Sequence, residues 1–318
     1  MTCYHPIKAY RSKHLTVNGK RKLVFSEKDS NGETQEISCG QCIGCRLQRS
    51  LEWAARISNE ASLYENNCFI TLTYAPENLP EGGTLVVKHF QDFMKKLRFK
   101  YGPNIRFFHC GEYGEQLHRP HYHAALLNHD FPDKRPSRLT DRGDQTYISD
   151  SLDQLWGMGR TEIGELNFDS AAYIARYITK KVTGNAADFH YSTLDFSTGE
   201  ITRLKPEYIT MSRRPGIGAP WLEKYHKDVY SYDKLILRSG AKIAPPRFYD
   251  GRYELINPEH ARQIFSKREQ RDVNMFGTDD YNRRSLDTTE NRLKVREVVH
   301  EATIKSTLKR NYEGSNHD

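Results

Sequence analysis

No stretch of this 318-residue sequence approaches the roughly 20 consecutive apolar residues that a membrane-spanning helix needs. A helical membrane protein is therefore excluded, and no membrane partner is expected. The opening Met1-Thr2-Cys3-Tyr4-His5-Pro6 has no apolar segment of the kind a secretory signal carries. The expectation is a reducing compartment, in which cysteines serve as thiols or metal ligands rather than disulfides. No internal repeat is present, and no G-x-x-x-x-G-K-[ST] phosphate loop, so helicase activity is not encoded. What remains is a polar chain, 37% hydrophobic and 28% charged, with a formal charge of +7 that favours a polyanionic partner. Its 19 tyrosines, mixed with the basic residues, suit stacking on nucleic-acid bases.

Six cysteines are few, but three of them fall at C-x2-C-x2-C spacing in Cys39-Gly40-Gln41-Cys42-Ile43-Gly44-Cys45. Glycines at two of the intervening positions let the backbone wrap around a soft metal ion. A closed tetrahedral zinc site needs a fourth ligand, and either Cys3 or His5 would supply it by pinning an N-terminal strand to the knuckle. The next cysteine, Cys68, does not continue the compact spacing of a ferredoxin, which argues against an iron–sulfur cluster.

The second constellation is Arg119-Pro120-His121-Tyr122-His123-Ala124-Ala125-Leu126-Leu127. Two histidines two positions apart, followed by small and aliphatic residues, read as a strand whose imidazoles share one face. Imidazole is the commonest ligand of catalytic divalent metals, and two on one strand leave coordination positions open for a substrate oxygen. Residues 104–113 form the preceding strand. If the two make a hairpin centred near Gln116-Leu117, Glu112 falls opposite His121 on the same face and becomes the third ligand.

Around this hairpin the periodicity predicts a helix over 46–65, a strand over 68–74, a helix over 87–101, a polar loop over 128–148, a short helix over 150–156 and a strand over 160–166. From residue 68 the order is β-α-β-β-α-β. The fold class is therefore α+β with a ferredoxin-like antiparallel sheet, in which the third strand lies between the first and second. Asp169 is positioned to cap a helix running to Val182, on which Tyr173 and Tyr177 lie one turn apart with Lys180 and Lys181 one turn further on. Beyond it, 185–244 reads as ordered loop structure packed on the sheet, and Asn257-Pro258-Glu259 as the start of a helix in a charged C-terminal region. The organisation expected is a Cys-rich knuckle and helix over 1–66, a core over 67–184, an accessory segment over 185–250 and a mainly helical region over 251–318.

Taken together, these residues resemble the HUH endonucleases, and within them the replication initiators of gokushovirus-like single-stranded DNA phages (Microviridae). Phe69-Ile70-Thr71-Leu72-Thr73-Tyr74 looks like the first motif of that family and Arg119-Pro120-His121-Tyr122-His123 like its histidine motif. The run from Tyr173 to Lys181 looks like its two-tyrosine motif. The cysteine knuckle and Met211-Ser212-Arg213-Arg214-Pro215-Gly216-Ile217-Gly218 look like features of the phage group.

The resemblance implies nicking and rejoining of single-stranded DNA at a replication origin, with Mg²⁺ or Mn²⁺ at His121, His123 and Glu112. Tyr173 or Tyr177 would be the nucleophile that forms a 5′-phosphotyrosine, and Lys180 or Lys181 the cation that offsets phenolate or phosphate charge. It further implies a host helicase and polymerase as partners and the bacterial cytoplasm as the place of action. A hydrolytic nuclease without covalent intermediate and a zinc-stabilised DNA-binding regulator are the competing expectations.

Overall fold

The computed structural model describes residues 3–16, 21–114, 117–140, 143–176, 181–182, 186–194, 199–274 and 286–312. Two compact units emerge, Met1–Arg49 with Met275–Leu308, and Ser50–Asn274 with Lys309–Asp318. Among the described residues no helix is long and apolar enough to cross a membrane.

In the first unit β1 (Ile7–Leu15), β2 (Arg21–Val24) and β3 (Ser30–Ile37) form a three-stranded antiparallel sheet in the order β2-β1-β3. The sequence reads here as polar and turn-rich because β1 buries only Ala9 and Ser12, too few positions to leave a period-two hydrophobic signal. After the knuckle comes helix α1 (Ile43–Ala61), whose first residues belong to this unit and whose remainder belongs to the second. The unit's core is small. Among the described residues its hydrophobic cluster buries Tyr4, Cys42 and Leu293, Leu293 coming from the C-terminal helix α9 (Glu290–Tyr312).

The second unit is built on seven strands: β4 (Asn67–Thr73), β5 (Arg106–Tyr113), β6 (Pro120–Leu127), β7 (Arg135–Leu139), β8 (Gln145–Ile148), β9 (Thr161–Gly164) and β12 (Tyr208–Met211). They make one antiparallel sheet in the order β12-β5-β6-β4-β9-β8-β7. A separate two-stranded pair, β10 (Ser192–Leu194) with β11 (Ile201–Arg203), follows the short helix α5 (Ala186–His190). Within the large sheet the order β5-β6-β4-β9 places the third strand of the β-α-β-β-α-β run between the first and second, so β6 is central. The segment read as a polar loop over 128–148 contains the β7–β8 hairpin, whose strand Arg135–Leu139 is almost wholly exposed and carries a proline, the composition of an edge strand. On the opposite side β12, also from a segment read as loop, pairs with β5 through Thr210 opposite His109.

Alternation along the strands sorts two cores. One face carries Ile70, Leu72, Tyr122, Ala124, Leu126 and Ile163 and packs on helices α2 (Val87–Tyr101) and α3 (Asp150–Trp156) through Phe90, Phe93, Leu97, Leu152 and Trp156. Full burial of each such large apolar side chain contributes about 1.5–3 kcal/mol. The other face carries Phe108, Cys110, Ala125 and Leu127 and packs on the later part of α1, through Ala54 and Ile57, and on α4 (Phe168–Arg176), through Ala171 and Ile174. A third core joins α6 (Ala219–Tyr230), α7 (Arg247–Ile256) and α8 (Pro258–Asn274), the last starting at Pro258 with Asn257 accepting the His260 amide at 3.1 Å.

Gly159 fixes the end of β4. Its φ is +149° and a Cβ there would stand 2.2 Å from the Ala75 nitrogen and 2.4 Å from the Thr73 oxygen, so any side chain would force the backbone apart.

Candidate functional site

The strand register gathers the polar residues of the second unit. In β5 and β6, Glu112 is paired with His121 and Cys110 with His123; in β4 and β6, Thr73 is paired with His121 and Thr71 with His123. Paired residues share a face, so Glu112, His121, His123, Thr71 and Thr73 all project from the side of the sheet that α1 and α4 cover further along. The register argued from the sequence for Glu112 is the one found.

Hydrogen bonds set the rings. His121 Nδ1 donates to the Arg119 carbonyl at 2.7 Å, which fixes the tautomer and leaves Nε2 with its lone pair. Nδ1 of His123 meets Thr71 Oγ1 at 3.0 Å, and its Nε2 meets Glu112 Oε1 at 3.0 Å. Glu112 and His123 are buried, 4% and 6% exposed, so their pairing is shielded from water. Burial pushes the His121 pKa down, which favours the neutral ring, the form that ligates metal.

Glu112 and His123 place a pair of donor atoms at the spacing of two ligands of a divalent ion, while the donor atoms of Glu112, His121 and His123 do not all lie within 4.8 Å of one another. Two cis ligands of an octahedral ion, each bound at about 2.1 Å, stand about 3 Å apart. The gap between His123 Nε2 and Glu112 Oε1 has that span.

Tyr173 on α4 closes the site. Its ring centroid lies 5.4 Å from that of His123 in an edge-to-face contact and 6.1 Å from that of Phe69. The Arg176 guanidinium, one turn further along α4, is 6.0 Å from the Tyr173 ring.

Two readings from the sequence change here. Asn167 caps α4, not Asp169: its Oδ1 accepts the Ser170 amide at 2.9 Å while Ser170 Oγ accepts the Asn167 amide at 2.9 Å, a reciprocal capping pair. The helix, expected to reach Val182, is described over Phe168–Arg176, and Lys181 and Val182 are not helical. The Val182 amide donates to the Tyr191 hydroxyl at 3.0 Å instead of to a helical carbonyl, and that hydroxyl donates to buried Glu207. Lys181 is exposed, and Tyr177 and Lys180 lie outside the described residues.

In the first unit, Cys3, Cys39, Cys42 and Cys45 present sulfur atoms that all lie within 4.8 Å of one another, the only such group of three or more ligands among the described residues. The Cys39–Cys45 and Cys3–Cys42 separations are 3.9 and 4.0 Å. Tetrahedral ligands at a Zn–S distance of about 2.3 Å stand about 3.8 Å apart, so the four thiols fit zinc.

Backbone amides face the sulfurs as they would thiolates. Tyr4 N–H donates to Cys42 Sγ at 3.3 Å, Cys39 N–H to Cys3 Sγ at 3.3 Å, and the Gln41 and Cys42 amides to Cys39 Sγ at 3.4 and 3.3 Å. Burial opposes ionisation of Cys39, but these amide donors outweigh it and bring the thiol down to about 7. Burial takes Cys45 up to about 12. The alternative fourth ligand, His5, is engaged elsewhere: its Nε2 meets Glu297 Oε2 of α9 at 2.6 Å.

Sequence reasoning missed Thr71 as a partner of His123. The signal was the β4–β6 pairing, which no local pattern states.

A family model described as replication-associated protein ORF2 matches residues 67–182. The chain is 32% identical over 270 residues to replication-associated protein VP4 of Bdellovibrio phage phiMH2K, covering 81% of this chain and 79% of that one. It is 30% identical over 279 residues to replication-associated protein ORF2 of Spiroplasma virus 4, covering 80% and 81%. With replication-associated protein ORF4 of Chlamydia phage 1 the identity is 31% over 223 residues, covering 67% and 52%. No solved structure matches the chain.

Proposed function

This chain belongs to the family of phage replication-associated proteins, and from that premise we propose that it is a replication initiator with an HUH endonuclease fold, nicking single-stranded DNA at an origin and rejoining it. The observation that carries the reading is the convergence of a tyrosine on a His-Glu pair: Tyr173 packs edge-on against His123, whose Nε2 is held to Glu112. The strand order, with both histidines on the central β6, supports it as well.

Glu112, His121 and His123 would hold a divalent ion such as Mg²⁺ or Mn²⁺, which would supply Lewis-acid charge to the scissile phosphate. The chain's own residues do the rest. Arg119 and Thr71 hold the two imidazoles in the orientation that ligation needs. The Tyr173 hydroxyl attacks phosphorus, the new Oη–P bond forms as the P–O3′ bond breaks, the phenol gives up its proton and the leaving 3′ oxygen gains one. The product is a 5′-phosphotyrosine and a free 3′-OH, which a host polymerase extends behind a host helicase inside the bacterial cell. Rejoining is the reverse attack by a 3′-OH. Tyr177 is the candidate for the second transfer. The four cysteines of the first unit hold a structural zinc ion, with Cys3 as the fourth ligand.

The test is a denaturing gel of the full chain with its phage's circular single-stranded DNA and Mg²⁺ or Mn²⁺. A covalent protein–DNA adduct, lost in the Tyr173→Phe/Tyr177→Phe double variant and mapped by peptide mass to Tyr173 or Tyr177, is expected. Free cleaved ends without adduct would mean a hydrolase, and intact DNA a binding regulator; either overturns the reading.

A further inference from the structure

We propose that Arg119 is the cation that grips the non-bridging oxygens of the DNA phosphate at the His-Glu site. The inference rests on the nicking activity proposed above and supplies the positive group that Lys181, exposed and outside α4, does not bring to the site.

Arg119 immediately precedes β6, at the end of the sheet where Glu112 pairs with His121. Its backbone is committed to the site: the carbonyl accepts both the His121 Nδ1 proton at 2.7 Å and the Gly114 amide at 2.9 Å. Its side chain is anchored but not used up. Nη2 donates to the Tyr74 carbonyl at 2.7 Å, just beyond the end of β4, which fixes the direction of the guanidinium. Nε, by contrast, is buried and has no hydrogen-bond partner.

Among the described residues no carboxylate lies within ion-pairing distance of Arg119, whereas Arg106, Arg135, Arg138, Arg252, Arg268 and Arg292 each have one. A half-buried guanidinium with no carboxylate in reach among the described residues carries a cost that an anion meeting its outer donors would lower. Guanidinium presents donors in a planar fork that matches two phosphate oxygens, which an ammonium cannot imitate. The anion that reaches this end of the sheet in the proposed reaction is a DNA phosphate. Fixed by Tyr74, Arg119 needs no reorganisation as charge builds on phosphorus.

The experiment compares the full chain with Arg119→Gln and Arg119→Lys on a single-stranded oligonucleotide that the unaltered protein cleaves, measuring single-turnover cleavage at saturating DNA and the DNA Kd separately. Expected is a loss of about 10²-fold in cleavage for Arg119→Gln, a Kd changed by less than about threefold, a smaller loss for Arg119→Lys, and partial recovery when guanidinium ion is added. Since glutamine keeps the carbonyl that orients His121, a purely backbone role predicts no loss, and cleavage at the parent rate would overturn the proposal. So would a loss that guanidinium does not repair and that falls together with the melting temperature, for then the side chain only ties β6 to Tyr74. If the unaltered chain cleaves no DNA, the proposed function fails by itself, and inorganic phosphate decides on Arg119. Broadening of the phosphorus-31 resonance by the parent but not by Arg119→Gln supports phosphate binding, and equal broadening by both overturns it.

Discussion

The cysteine knuckle and the histidine sheet both collect metal-ligating side chains, and they do so by opposite means. In the knuckle, the N-terminal segment, a glycine-containing loop and the first turn of α1 bring four sulfurs within 4.8 Å of one another, with backbone amide hydrogens pointed at them. In the sheet, the candidate ligands stand where strand register puts them, Glu112 and His123 buried and His121 half-buried, tied by Arg119, Thr71 and each other, but not drawn into a cage. A site with four protein ligands is closed and spends its binding energy on folding; a site with three, on a rigid scaffold, keeps positions for substrate. The tiny core of the first unit makes the same point, because a cluster of Tyr4, Cys42 and Leu293 is too small to order that unit unaided.

The sharpest way to break this contrast is to remove the zinc proposed for the knuckle. Structural zinc in small domains is worth about 10 kcal/mol or more of apparent folding energy. Chelation, or Cys42→Ser, is therefore expected to release α9 from the knuckle. Hydrogen exchange would show it: amides around Leu293, Glu297 and His300 lose protection, because the Tyr4–His300 contact at 2.8 Å and the His5–Glu297 contact both depend on residues flanking Cys3. Protection unchanged after verified removal of zinc would assign the knuckle's order to packing alone. Protein that is folded and never carries zinc would do the same.

In the sheet the expected loss is of chemistry, not of fold. His121→Ala or His123→Ala removes one of the three proposed ligands from a scaffold that the two hydrophobic cores hold in place. Cleavage should fall by about 10³-fold or more, equivalent to about 4 kcal/mol, while the melting temperature moves by a few degrees at most. Full metal-dependent cleavage by the double alanine variant would remove the histidines from the site.

How legible each region was follows from the same contrast. The β4 to β9 order and the Glu112–His121 register could be read because buried strands alternate and a short hairpin leaves one register, which also put the histidines mid-sheet. β1 to β3 and the β7–β8 hairpin could not, since exposed strands carry too little apolar patterning to declare themselves. The C-x2-C-x2-C spacing announced three ligands, but the choice between Cys3 and His5 is a tertiary fact, 36 residues away in the chain for the Cys3–Cys39 contact. That Val182 is not helical was hidden for a similar reason: its amide bonds to the hydroxyl of Tyr191, nine residues on.

Acid should also probe the two regions differently, through thiolate protonation in the knuckle and through a buried imidazole in the sheet. His109, fully buried on β5 with Nδ1 2.9 Å from Thr210 Oγ1 and its ring stacked on Phe90, has its pKa pushed well below 6.5 by desolvation. A histidine depressed in the folded state binds its proton only on unfolding. Its contribution is therefore fully present above about pH 6.5 and is lost as pH falls, by up to about 1.4 kcal/mol per pH unit. Urea unfolding of the second unit at pH 7.5 and 5 should show that slope, and His109→Gln should reduce it. An unchanged slope in the variant would mean that His109 is not the group that titrates.

The smallest effect expected is the one that separates the two candidates for the fourth zinc ligand. His5 and Cys3 are two residues apart, and the sequence alone allowed either. In the structure Cys3 Sγ stands 4.0 Å from Cys42 Sγ, while His5, its side chain 58% exposed, turns to Glu297 on α9. An exposed pair of this kind contributes at most about 1 kcal/mol, less at high salt. His5→Ala should accordingly retain about one zinc per chain, since a complete four-cysteine site holds a single ion, and lose under about 1 kcal/mol of stability. Cys3→Ser should lose zinc affinity outright. Elemental analysis of both variants after dialysis decides between them: zinc kept by Cys3→Ser and lost by His5→Ala would make the histidine the ligand and the Glu297 contact a resting state of the metal-free chain.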